Sequence, residues 1–224
     1  MPAGRPWLPA DFAGFPTLPA GMRLHRIGRH PHGPLRSNPV SEVRFALPGT
    51  HSMFYAGATP SVAMWETLFR DVPGGGREVL IGNEQLKGRY CVEIELTRAL
   101  PHLAFAQPPM AMLMTRRGAA WNEVEGLCKA DTYEETHTAV RELERELSAL
   151  GQPMPVLSWP SRQDPGGLAY LAYEPPVSED CWRVVGTAID LDTDDGRALI
   201  HAELERCGMR WVPLATKATR KRSR

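Results

Sequence analysis

The 224-residue chain carries 26 basic and 26 acidic residues, a formal net charge of zero, with 42% hydrophobic and 23% charged side chains. Those proportions fit an ordinary soluble globular protein, and the balance gives no global field for gathering nucleic acid or an anionic membrane. Cys91, Cys128, Cys181 and Cys207 stand far apart with no CxxC pair, which excludes a familiar zinc site and a disulfide framework.

Residues 1–20 hold Pro2, Pro6, Pro9, Pro16 and Pro19. Repeated prolines withhold backbone donors, so an extended arm is expected, with Trp7, Phe12 and Phe15 packing on the body or on a partner. No leader of basic then apolar residues is seen, and no run approaches the ~20 apolar residues of a membrane span. The most apolar short stretch is Met110 to Met114. A cytoplasmic protein is the expectation.

A short strand is expected near 23–27, then a loop from His30 to Pro48 that ends in Val43-Arg44-Phe45. Ser52 to Ala56 reads as a strand closed by Gly57. Thr59-Pro60 announces a helix over 61–70, through a capping hydroxyl and a proline at the first helical position. Pro73 and Gly74 to Gly76 stop it. Strands are predicted at 78–81 and 90–96, the second alternating Val92, Ile94 and Leu96 against Glu93, Glu95 and Thr97. Residues 109–128 read as mostly helical. Thr132 to Leu150 is the clearest helix, with Val140, Leu143, Leu147 and Leu150 on one stripe and Gly151 following. Strands at 168–173 and 182–189, a helix from Asp194 or Asp195 through Cys207, and a strand at 209–212 complete the series. The last residues, 214–224, form a basic tail that reads as a solvated end. No repeat or interior linker divides residues 21–213, so one α+β domain is expected, a mostly antiparallel or mixed sheet flanked by helices.

Winding the 61–70 helix at about 100° per residue from Val62 puts Glu66 only about 40° from the apolar stripe. A carboxylate there is paired inside the fold, faces a cleft, or reaches solvent past Ala63 and Arg70. Arg26 and Arg44 sit among apolar neighbours. Each alone reads as a strand residue pointing to solvent, whereas two together upstream of Glu66 suit an anion clamp. Ser161, after Pro160, lacks a GxSxG elbow and evident His and Asp partners, so it suits a hydrogen-bonding role rather than an acyl-enzyme. His30-Pro31-His32 lacks further ligands at metal-site spacing, and no metal is expected.

Arg26 in Leu24-His25-Arg26-Ile27, Arg44-Phe45, the run Met53-Phe54-Tyr55-Ala56-Gly57 with Thr59-Pro60-Ser61 and Glu66, and Trp159-Pro160-Ser161-Arg162 together resemble the RES domain over about residues 22–190. This chain has Glu42-Val43-Arg44-Phe45-Ala46 where many members have Gly-Gly-Arg-Trp-Asn. The resemblance implies the ADP-ribosyltransferase-toxin fold and a toxin of a RES–Xre toxin–antitoxin pair that consumes NAD as substrate, without a prosthetic group. It implies Glu66, Arg44, Tyr55 and Ser161 as the core site, with Arg26 beside them; Arg26, Arg44, Tyr55 and Ser161 would hold NAD. It also implies a helix-turn-helix antitoxin blocking the site, with possible homo-oligomers in that complex. The ADP-ribose acceptor stays open among phosphate, water and a protein, and a non-enzymatic interaction module is the competing class.

Overall fold

A computed structural model describes residues 8, 12–70, 77–105, 126–128, 133–164 and 166–213. Of the expected helix at 109–128 only the helical residues 126–128 are described; the Pro73 and Gly74–Gly76 stop, the first seven residues and the basic tail lie outside the described residues. Among the described residues ten strands are seen: β1 (Thr17–Leu18), β2 (Arg23–Arg29), β3 (Ser52–Gly57), β4 (Glu78–Ile81), β5 (Arg89–Leu96), β6 (Leu100–Ala104), β7 (Val156–Pro160), β8 (Leu168–Glu174), β9 (Trp182–Asp190) and β10 (Arg210–Pro213). The helices are α1 (Pro60–Thr67), α2 (Asn83–Leu86), α3 (Glu134–Ala149) and α4 (Asp194–Arg206). No helix among the described residues is long and apolar enough to cross a membrane.

Eight strands form one mixed sheet in the order β1-β6-β7-β8-β3-β2-β5-β9, antiparallel except for β6 beside β7. β4 and β10 make a separate parallel pair. This is the single α+β domain with a mostly antiparallel sheet that the sequence predicts. Strands β6 and β7 escape a reading by periodicity. β6 carries Pro101, a residue that argues against a strand interior, and β7 is buried along Val156–Trp159 with no polar alternation.

The pleat sorts side chains between two cores. On one face Phe54 and Ala56 of β3 join Leu24, Val92, Ile94 and Trp182. On the other, Met53 and Tyr55 join Leu157, Trp159 and Leu171, covered by Ala139, Val140, Leu143 and Leu147 of α3. Each of the three larger α3 side chains contributes about 1.5–3 kcal/mol on burial, enough to hold the helix without strong capping. The N-terminal arm rests on this side: the Leu8 amide donates to Glu146 Oε2 at 2.9 Å, and Phe12 and Phe15 pack on the core.

Helix α1 starts where its residues dictate. Thr59 is extended, its hydroxyl accepts from the Val62 amide, and Pro60 opens the helix. It ends at Thr67, three residues short of the expected 61–70 span. It seats directly on the end of β3, because a Cβ built on Gly57 would lie 2.5 Å from the Ala63 backbone nitrogen.

Candidate active site

Tyr55 projects from the middle of β3 and Glu66 from the last turn of α1. The Tyr55 hydroxyl donates to Glu66 Oε2 at 2.7 Å. The other carboxylate oxygen, Oε1, accepts the Arg162 backbone N–H at 3.1 Å. Glu66 is therefore neither an idle edge residue nor a lone buried charge, but a carboxylate held from two sides. Burial, then the Glu66 charge and the hydrogen bond to it, push the Tyr55 phenol well above its usual pKa, with Arg44 partly offsetting. At neutral pH Tyr55 thus stays a proton donor to Glu66.

The pair lies in a small cleft lined by Val43, Arg44, Tyr55, Glu66, Arg70, Tyr133, Arg162 and Gln163. Among the described residues the lining holds three arginines and one carboxylate, that of Glu66. Arg44 is 8% exposed, donates to the Leu127 carbonyl at 2.7 Å, and sits 5.6 Å from the Tyr133 ring centre.

The turn that aims Arg44 is strained and well held. Phe45 has φ +60°, a left-handed conformation unusual for an aromatic residue. Its ring stacks on Phe105 at 4.6 Å and meets Trp159 edge-on at 5.0 Å. Its amide donates to Thr136 Oγ1 and its carbonyl accepts the Tyr173 hydroxyl at 2.7 Å. The start of α3 adds a bond between His137 and the Val43 carbonyl at 3.0 Å.

Of the residues expected in the site, Glu66, Tyr55 and Arg44 come together. Ser161 and Arg26 stand outside that group. Ser161 is 1% exposed and does not line the cleft; its hydroxyl accepts the Asp164 amide at 3.1 Å, holding the turn that offers the Arg162 amide to Glu66. Arg26 faces the other core. It stands 4.1 Å over the Phe54 ring, donates to the Pro34 carbonyl at 3.2 Å, and is pulled down to about 10 by burial, with Tyr90 and Glu179 partly offsetting. The register that sets His25 opposite Gly57 puts Arg26 on the face of Ala56, opposite that of Tyr55.

A prediction follows from that placement. Arg26→Met loses a desolvated cation–π contact and a hydrogen bond, about 2 kcal/mol together, which is a fall of roughly 4–8 °C in Tm for a chain of this size. Turnover by the folded variant should stay within about twofold of wild type. A large loss of turnover with Tm unchanged would return Arg26 to the site.

The sequence reading did not assign Tyr133, Arg70 or Arg162 to the cleft. Arg70 follows Glu66 by four positions, and Arg162 follows the flagged serine. Tyr133 gives no sequence signal beyond preceding the clearest helix. Among the described residues no group of three His, Cys, Asp or Glu side chains could hold a metal ion.

The family model described as RES domain matches residues 3–194. A solved structure, the M. tuberculosis MbcT–MbcA toxin–antitoxin complex, contains a chain of similar fold, with 11% sequence identity and a TM-score of 0.51. The match covers 78% of this chain and 86% of that one. No curated protein matches the sequence significantly.

Proposed function

This chain belongs to the RES domain family, and we propose that it is the toxin of a toxin–antitoxin pair that breaks the nicotinamide–ribose bond of NAD. One observation carries the reading: a carboxylate fixed by two donors, Tyr55 Oη and the Arg162 amide, inside a cleft lined by three arginines. As the bond loosens, positive charge develops on the ribose, and a pre-set carboxylate beside it stabilises the transition state without reorganising. The bond between C1′ and the pyridinium nitrogen breaks, and its electron pair leaves with neutral nicotinamide. An acceptor oxygen adds to C1′ and gives up its proton. Arg44, Arg70 and Arg162 suit the diphosphate, since guanidinium pairs with phosphate oxygens in a forked geometry. Tyr55 and Tyr133 offer aromatic surface to a base or ribose. The structure in the M. tuberculosis complex is that of a toxin with its antitoxin, and a helix-turn-helix antitoxin closing this cleft is the partner we infer.

The test is incubation of the purified protein with NAD while free nicotinamide is followed, with and without phosphate. Nicotinamide release is expected. Dependence on phosphate identifies a phosphorylase and independence a glycohydrolase, whereas labelling of a lysate protein from radioactive NAD identifies an ADP-ribosyltransferase. No release and no labelling would reject NAD chemistry and leave an interaction module.

A further inference from the structure

The family match ends at residue 194, where α4 begins. We propose that α4 is a brace for the catalytic cleft, with Arg206 as a positioning residue that latches the 161–167 turn through Ser61 and Asp164. The chain of contacts is continuous. Arg206 Nη2 donates to Ser61 Oγ at 2.9 Å and to Glu203 Oε1 at 2.8 Å, and lies 3.7 Å from Asp164 Oδ2. The Ser61 hydroxyl is 2.7 Å from Asp164 Oδ2 and 2.9 Å from Glu203 Oε1. Trp65 Nε1 donates to the same Glu203 oxygen at 2.7 Å. Asp164 in turn gives its amide to Ser161 Oγ, closing the turn whose next residue, Arg162, presents its N–H to Glu66.

The latch therefore joins three segments, α1, the turn and α4, around a side chain that does not line the cleft holding Tyr55 and Glu66. Close approach between α1 and the turn reinforces it, because a Cβ on Gly167 would lie 2.2 Å from a Val62 methyl group. Glu203 is nearly buried at 7% exposure, so its charge depends on these donors. Burial raises its pKa, but bonds from Arg206, Trp65 and Ser61 outweigh that and hold it below the ordinary carboxylate value. A depressed carboxylate stabilises the fold above its unfolded pKa, about 4.3. That contribution is lost as pH falls through the lower folded value, so the latch is closed at neutral pH.

The inference rests on the NAD reading only where turnover is measured, so the test has two arms. Hydrogen exchange at the Arg162 amide reports the latch directly. In Arg206→Ala that amide should exchange about tenfold faster, the low end for a charge-assisted bond because the Arg206 side chain is exposed. Ser61→Ala should do the same, while amides in the β7–β8 ladder keep their protection. In the nicotinamide assay both variants should lose about tenfold in kcat with KM within about threefold, since an ill-placed Glu66 weakens the transition state more than binding. Arg206→Lys should recover part of the kcat. Unchanged Arg162 exchange in both variants, or equal loosening throughout the sheet, would overturn the brace. If wild-type protein releases no nicotinamide, the NAD reading fails and the exchange arm still decides the latch.

Discussion

Glu66→Gln is expected to reduce nicotinamide release at least about a thousandfold while the protein stays folded. Removing one neutral donor that faces developing charge in an active site costs about 10²–10³ in rate, and Glu66 contributes a full charge. Glutamine keeps the shape of the side chain. Its amide group, however, can accept from only one of the two donors now facing the carboxylate, the Tyr55 hydroxyl and the Arg162 N–H. The other meets an NH₂ group, at a cost of about 1–2 kcal/mol in stability. Rate and thermal midpoint should therefore move by very different amounts. A variant that keeps a tenth of wild-type turnover would show that the carboxylate charge does not drive the reaction.

Gly57→Ala should damage fold and site together. The added methyl would stand 2.5 Å from the Ala63 nitrogen and 3.0 Å from the Val62 carbonyl carbon. Both are backbone atoms of α1, so no rotamer change relieves the clash and the helix itself must shift. Overpacking of this kind costs about 1–3 kcal/mol. Glu66 rides on the displaced helix, whereas Tyr55 stays on the strand two residues from the substitution. A misplacement near 1 Å costs on the order of a hundredfold in rate. Urea unfolding should show the lower midpoint, and turnover measured well below it should still be down by tenfold or more. Full activity with a normal midpoint would mean that α1 is not seated as described.

Local chemistry made much of this arrangement legible in advance. Thr59 and Pro60 marked the start of α1 to within one residue, and Gly151, at φ +65°, stands just after α3 as its composition promised. Helical winding placed Glu66 beside the apolar stripe but could not choose between solvent and a partner. Arg26 shows where such reading stops. Its neighbours resemble those of Arg44, but the face it occupies depends on how β2 aligns with β3, and register is a property of two strands. Ser161 was flagged correctly as a hydrogen-bonding serine. Its actual partner, the Asp164 amide, belongs to a turn whose shape depends on α1 and α4. Tyr133 joins the cleft only because α3 packs under the Arg44 turn, a contact between segments far apart in the chain.

The order in which those segments leave the ribosome has a consequence for the cell that makes the protein. Arg162 and Glu66 are 96 residues apart, and Arg206 is 145 residues beyond Ser61. During vectorial synthesis β3 waits for β8 as its neighbour, and the brace waits for α4. A nascent chain that already carries Arg44, Tyr55 and Glu66 still has no assembled cleft. The cleft takes shape only after the turn at Arg162 and helix α4 have joined the residues made long before them.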